Sequence, residues 1–163
     1  MLNKKIAGQL NGQVGMEFYS AYLYLEMNNY FMERGLNGFA HWYEVQAKEE
    51  CDHAMRIYRY LHDEGNRVTL QAIEAPKCDF GCDREALSQA LRHEELVTES
   101  INGIIATAYE LNDYRTLQFL DWFVAEQAEE ESNARDLLTR LGLYGESSKG
   151  LYLLDHELGK RKS

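Results

Sequence analysis

An all-α four-helix bundle with one long crossover and a short fifth C-terminal helix is the fold class this sequence predicts. Three observations predict it. Four long stretches carry apolar side chains at the 3.6-residue period of a buried helical stripe. Only one proline interrupts a chain of 163 residues that is 45% hydrophobic, and proline is the residue a helix interior tolerates least. One segment, Asn66 to Cys82, sustains no helical period, is punctuated by Pro76 and Gly81, and sits between the second and third stretches.

The first helix is expected from about Asn3 to Met32, with the stripe Ile6, Leu10, Val14, Glu17, Ala21, Tyr24/Leu25 and Asn28. Gly8, Gly12 and Gly15 lower its propensity, but the period prevails. Arg34-Gly35-Leu36-Asn37-Gly38 is a tight break, with Gly at the stop and Asn37 as the expected N-cap. The second helix, about Asn37 to Glu64, therefore returns antiparallel to the first. Its stripe reads Phe39, Trp42/Tyr43, Gln46, Glu50, His53, Ile57 and Tyr60/Leu61.

Gly65 ends the second helix. A helix of roughly 30 residues is about 45 Å long, and extended chain covers about 3.3 Å per residue. The segment from Asn66 to Cys82 can travel that length, so it reads as a crossover that makes the third helix parallel to the second. Asp83 is the expected cap of the third helix, about Asp83 to Leu111, whose stripe is Leu87, Leu91, Glu94, Val97, Ile101, Ile104/Ile105 and Ala108. Asn112-Asp113 makes a short turn. The fourth helix, about Tyr114 to Leu141, reads Leu117, Leu120, Phe123/Val124, Gln127, Glu130, Ala134 and Leu137/Leu138, with Gly142 and Gly145 closing it. Leu151, Leu154 and Leu158 mark a short helix that packs across one end of the bundle or on a neighbouring subunit.

Each of the four stripes is broken by acid or imidazole near its middle: Glu17, Glu50 with His53, Glu94, and Gln127 with Glu130. Mid-helix positions share one layer of a bundle whichever way each helix points. Glu50 and His53, at i and i+3, leave one helix face together. Four carboxylates in one buried layer repel each other unless cations lie between them. A Glu from each of two helices with Glu-x-x-His from each of the other two is the general di-iron bundle pattern. The fourth helix departs from it by offering Gln127-x-x-Glu130.

Other features bound the reading. A net charge of −10, from 27 acidic and 17 basic residues, argues against nucleic-acid binding and suits a protein that attracts cations. The basic run Lys160-Arg161-Lys162 reads as a solvated tail. Cys51, Cys78 and Cys82 form no paired framework and read as free thiols of a reducing compartment. No apolar run has the length of a membrane span, and the N-terminal residues carry no signal-peptide pattern; a cytoplasmic protein of one domain, residues 1–163, is expected. His41, His62, His93 and His156 lack ligand spacing on the core stripes and read as surface or packing residues.

Over its whole length the chain resembles the ferritins, most closely the bacterial non-haem ferritins, through Glu17, Glu50-x-x-His53, Glu94 and Gln127-x-x-Glu130 together with the crossover and the fifth helix. The resemblance implies a ferroxidase centre that oxidises Fe(II) with O2, or peroxide, to Fe(III) and stores the ferric product as mineral inside a homo-oligomeric cage of 24 subunits. It implies two irons per centre: Glu17, Glu50 and His53 on the first, Glu50 bridging, Glu94 and Glu130 on the second, and Gln127 close by. It further implies a third iron site from Glu49, Glu126 and Glu129, for which the competing, lesser reading is a solvated acidic face. Tyr24 is implied as a hydrogen-bond partner of a ligand and an electron source, against a plain space-filling aromatic. Trp122 reads as core packing. Bacterioferritins bind haem through a Met where this chain has Asp52, so no haem is expected. The competing readings are a haem-containing bacterioferritin, a di-iron oxidase acting on an organic substrate, which needs an open pocket beside the irons, and a small DNA-protecting relative, whose basic N-terminal arm is absent here.

Overall fold

The structure, a computed structural model, describes residues 1–162. Its elements are α1 (Lys4–Glu33), α2 (Asn37–Asp63), α3 (Asp83–Glu110), α4 (Tyr114–Tyr144) and α5 (Ser148–Leu158). The core is divided into two apolar clusters, and their membership fixes the topology. One joins Phe31 of α1, Phe39 and Tyr43 of α2, Leu87 of α3 and Leu137 of α4. The other joins Ile6 and Leu10 of α1, Ile57 and Leu61 of α2, Ile101 and Ile104 of α3, and Leu120 and Phe123 of α4. Early residues of α2 and α3 share one cluster and late residues the other, so these helices are parallel. α1 and α4 run the opposite way.

The segment between α2 and α3 therefore crosses the length of the bundle, as its composition predicts. Val68 packs on the cluster it leaves, and Cys78 and Phe80 pack on the one it reaches. Near the start of the crossover, Asn11 of α1 both donates to the Thr69 carbonyl (2.8 Å) and accepts from the Thr69 N–H (2.7 Å). That exchange satisfies a loop backbone which has no ladder of its own.

The helix ends differ in part from the expected capping. Gly35 and Gly65 adopt φ of +73° and +74°, the left-handed conformation that closes a helix with 6→1 bonds: Leu36 N–H to the Phe31 carbonyl, and Asn66 N–H to the Leu61 carbonyl. Asn37 is not the N-cap of α2. Leu36 holds that position and makes no side-chain cap bond. Asp155 of α5 supplies the acceptor instead, its Oδ1 taking the N–H groups of Gly38 (2.8 Å) and Phe39 (3.0 Å). Asp83 is likewise the first residue of α3 rather than its cap, which is Cys82. Its carboxylate faces α1 and holds Arg34 Nε (2.6 Å) and the Tyr30 hydroxyl (3.0 Å). α4 continues through Gly142 to Tyr144, three residues beyond the expected end, with Gly145 as its C-cap.

α1 packs on α2 and α3, α3 on α4, and α5 on α2 and α4. Across the bundle, side chains join α2 to α4: Tyr60 stacks on Phe119 with ring centroids 3.9 Å apart. The three cysteines are free thiols, and among the described residues no helix is long and apolar enough to cross a membrane.

Candidate metal centre

Between the two apolar clusters lies a polar waist. Glu17, Glu50, His53, Glu94, Gln127 and Glu130 are all buried there, each at most 5% exposed. Every one was drawn inward by the stripe it interrupts. Helical periodicity forces a side chain at such a position to face the core whatever its polarity.

Two groups of ligand atoms form within the waist. Glu17, Glu50 and His53 each offer one atom within 4.8 Å of the others, and so do His53, Glu126 and Glu130. His53 belongs to both: Nδ1 lies 3.3 Å from Glu50 Oε2 and Nε2 lies 3.5 Å from Glu126 Oε1. Its ring stands edge-on to Trp122 and Phe123, which limits its rotation. Trp122 packs as expected and also walls the imidazole.

Glu94 stands in neither group but is tied to the layer by neutral donors. The Tyr24 hydroxyl donates to its Oε1. Gln127 Nε2 donates to its Oε2 (3.1 Å) and to its backbone carbonyl (3.3 Å). Thus Tyr24 and Gln127 both donate to the Glu94 carboxylate. Two further glutamines, which the sequence left without a role in the site, brace it in the same way: Gln13 donates to Glu17 Oε1 and Gln46 to Glu130 Oε2, both at 2.8 Å. Gln13 is held in turn by Ser100 (2.5 Å). Their signal was available, since both lie on core faces one turn from an acidic break.

Among the described residues no lysine or arginine forms an ion pair with this layer, and the His53 imidazole offsets only part of the effect of burial on Glu17 and Glu130. Burial raises the pKa of Glu17, with the Gln13 hydrogen bond opposing it. It raises Glu50 well above the usual carboxylate range, and the charges of Glu94, Glu17 and Glu130 add to the effect. Glu94 and Glu130 are each pushed up to about 7, again chiefly by burial. Tyr24 is raised by burial and by Glu94, so it stays protonated and donates. Glu17 Oε2 and Gln46 Oε1 are buried with no hydrogen-bond partner among the described residues. A desolvated oxygen of this kind costs on the order of 1–3 kcal/mol, more if charged. Mixed carboxylate and imidazole donors suit a divalent transition metal, so the donor set and the orphan oxygen both fit iron.

Of the remaining expected residues, Glu49 and Glu126 line one cavity beside His53 and Glu129 does not. Glu126 is half-buried beside His53, Glu129 is exposed, and Glu49 is engaged by Arg161 Nη2 at 2.6 Å. Neither Glu49 nor Glu129 belongs to the two ligand groups. Arg161 also corrects the reading of the C-terminus as a solvated tail. His93 is a packing residue, as expected: it contacts Ser20 Oγ at 2.7 Å, and burial lowers its pKa to about 4. An open cavity of about 360 Å³ leads to His53 from outside, walled by Glu49, Asp52, Arg56, Trp122 and Glu126.

Four antiparallel and parallel helices around a buried carboxylate–imidazole waist define the class of di-metal bundle proteins. Comparison with known proteins narrows that class. The ferritin-like domain family matches residues 7–143. The chain is 37% identical to a probable bacterial non-heme ferritin-like protein of Haemophilus influenzae, covering 98% of this chain and 96% of that one. It is 37% identical to the bacterial non-heme ferritin of Staphylococcus aureus, covering 99% and 97%. Among solved structures, the open-pore ferritin of the archaeon Archaeoglobus fulgidus superposes with a TM-score of 0.97 at 40% identity, covering 99% of this chain and all of that one. A humanized archaeal ferritin does so with 0.97 at 39%, covering both chains fully. The chain belongs to the ferritin family.

Proposed function

We propose that the protein is a ferroxidase and iron store, in which Glu17, Glu50, His53, Glu94 and Glu130 bind two Fe(II) ions as substrate while their electrons pass to O2. The observation that carries this reading is the buried waist: four carboxylates with raised pKa values beside the His53 imidazole and, among the described residues, no lysine or arginine partner. Two adjacent Fe(II) ions each give up one electron. O2 takes both and, with two protons, leaves as hydrogen peroxide. The iron becomes Fe(III), which anionic oxygen ligands compensate better than neutral ones.

The chain's own residues divide the work. Ligand carboxylates shed their protons as metal enters, because the cation replaces the proton as the neutralising charge. Gln13, Gln46 and Gln127 fix the carboxylate rotamers, and Tyr24 holds Glu94 by a donated hydrogen bond. Glu126 and the charged walls of the cavity beside His53 receive Fe(II) from solvent. Those walls carry acids and arginines around one tryptophan, which suits a hydrated ion better than an apolar organic substrate. Glu49, Glu126 and Glu129 are the proposed third, outer site. Residues 1–163 act as a single unit, in a cytoplasmic cage of 24 copies that encloses the ferric mineral. No haem takes part.

The test is an aerobic Fe(II) titration at many irons per chain, followed by gel filtration with iron analysis of each fraction. Fast oxidation with iron co-eluting in a very large particle is the expected result. Iron limited to two or three per chain in a small particle removes storage from the proposal.

A further inference from the structure

The C-terminal residues fold back onto α2, and each step of their path is fixed. α5 is docked by Asp155, which takes two N–H groups at the start of α2. The approach is so close that a Cβ at position 38 would fall 1.6 Å from the Asp155 carbonyl oxygen, so glycine is required there. Beyond α5, the Arg161 carbonyl lies 2.7 Å from His41 Nε2. The Arg161 guanidinium lies over the Trp42 ring, 4.1 Å from its centroid, and its Nη1 donates to the Trp42 carbonyl (3.5 Å). Its Nη2 meets Glu49 Oε2 at 2.6 Å. The Arg161 side chain is only 17% exposed. An arginine stacked, hydrogen-bonded and paired in this way is far more ordered than a surface charge on a tail.

We infer that Arg161 is an internal cation that competes with metal for Glu49 and sets the affinity of the outer iron site. This rests on the proposed third site of Glu49, Glu126 and Glu129. The guanidinium competes with metal for Glu49 Oε2, and a divalent cation brought to either oxygen of this carboxylate meets a like charge close by. Metal binds more tightly at Glu49 as Arg161 withdraws from Oε2, and Arg161 returns when the metal leaves. The outer site thereby empties readily, while the inner layer, which faces no arginine, keeps its metal. The exchange involves no proton or electron, since one cation replaces another. The stacking on Trp42 keeps the released guanidinium close, so the competition is intramolecular.

Calorimetric titration of Zn(II) into the intact, metal-stripped protein tests this, comparing wild type with Arg161→Gln, Arg161→Lys and Glu49→Gln/Arg161→Gln. The inner sites report on the proposed centre and the weakest event on the outer site. Arg161→Gln is expected to tighten the weakest event about fivefold, a magnitude suited to a partly exposed ion pair. Arg161→Lys keeps the charge without the stacked fork and falls between. The gain disappears in the double variant. Equal affinity for that event in wild type and Arg161→Gln overturns the competition and leaves the third site standing. Absence of that event from both proteins overturns the third site and the competition together, and the inner events remain as a separate check on the centre.

Discussion

The inner waist and the outer acidic group are both rich in carboxylates, yet only a few ångströms of depth give them opposite problems. Inside, Glu17, Glu50, Glu94 and Glu130 have lost water and, among the described residues, pair with no lysine or arginine, only with the His53 imidazole. They are held by amides and a phenol and resist ionisation. Outside, Glu49 keeps 40% of its side-chain exposure and already has an arginine. A buried acid without a cation makes metal binding strongly favourable. A half-exposed acid with a cation makes it exchangeable. His53 stands at the boundary with one ring nitrogen facing each region.

The largest effect is expected from removing Glu50 together with His53, the residue common to both groups of ligand atoms. Glu50→Ala with His53→Ala should slow initial Fe(II) oxidation by about 100-fold or more, since even the loss of outer-shell partners costs a metal site about 10- to 100-fold. Assembly, followed by gel filtration, should be intact. Unchanged stopped-flow oxidation kinetics in the double variant would refute the assignment of the centre.

The inner layer also predicts an unusual stability profile without metal. Glu94 and Glu130 titrate near 7 when folded, against 4.5 as free groups. Below about pH 4.5 both folded and unfolded chains hold these protons, and the groups contribute nothing. Between 4.5 and 7 the unfolded chain releases protons that the folded chain retains, so stability falls as pH rises. Glu17 and Glu50 act in the same direction. His93, lowered from 6.5 to about 4, acts oppositely: its share is lost as pH falls from 6.5 toward 4. Four carboxyls outweigh one imidazole. The Tm of the metal-free protein should drop from about pH 5 to about pH 7, and Zn(II) should raise Tm more at pH 7.5 than at pH 5.5. A metal-free Tm that rises over that interval would contradict an uncompensated carboxylate layer.

Tyr24→Phe probes the layer more gently. It removes one hydrogen bond to Glu94 and leaves the ring in its packing against Tyr43 and His93. Oxidation should slow about tenfold, the scale of a hydrogen bond to a charged group, with two Zn(II) still bound tightly per chain. Loss of one inner metal instead would make Tyr24 a support of the site's structure alone.

What the sequence disclosed is whatever helical period governs directly. An acid in the middle of an apolar stripe must face the core, so Glu17, Glu50, Glu94 and Glu130 were legible, as was the crossover, whose composition cannot propagate a helix. The face of α1 was only half legible. Leu23, Met27 and Phe31 are buried while Leu25 is 47% exposed, because α1 packs on both α2 and α3 and needs a wider stripe than one row of residues. Contacts between distant segments left no local trace. Asp155 caps a helix more than a hundred residues before it, Asp83 serves α1 instead of its own helix, and Arg161 crosses to Glu49. A capping preference or a charge run is a local statistic, and tertiary partners override it when they offer a better-placed donor or acceptor.

The smallest effects separate the two acids of the outer group that α4 contributes. Glu126 lies within reach of His53 and Glu130, and Glu129 is exposed. If depth governs function, a carboxylate bordering the waist matters to metal delivery and its neighbour three residues on matters less. Glu126→Gln should slow oxidation at low Fe(II) about threefold, the scale of a partly exposed ion pair, and the deficit should fade as Fe(II) is raised. Glu129→Gln should leave the rate within about twofold of wild type at any concentration. Equal losses from the two changes would mean that Glu126 and Glu129 act together as one outer site, and that the boundary of the inner region lies at His53 instead of at Glu126.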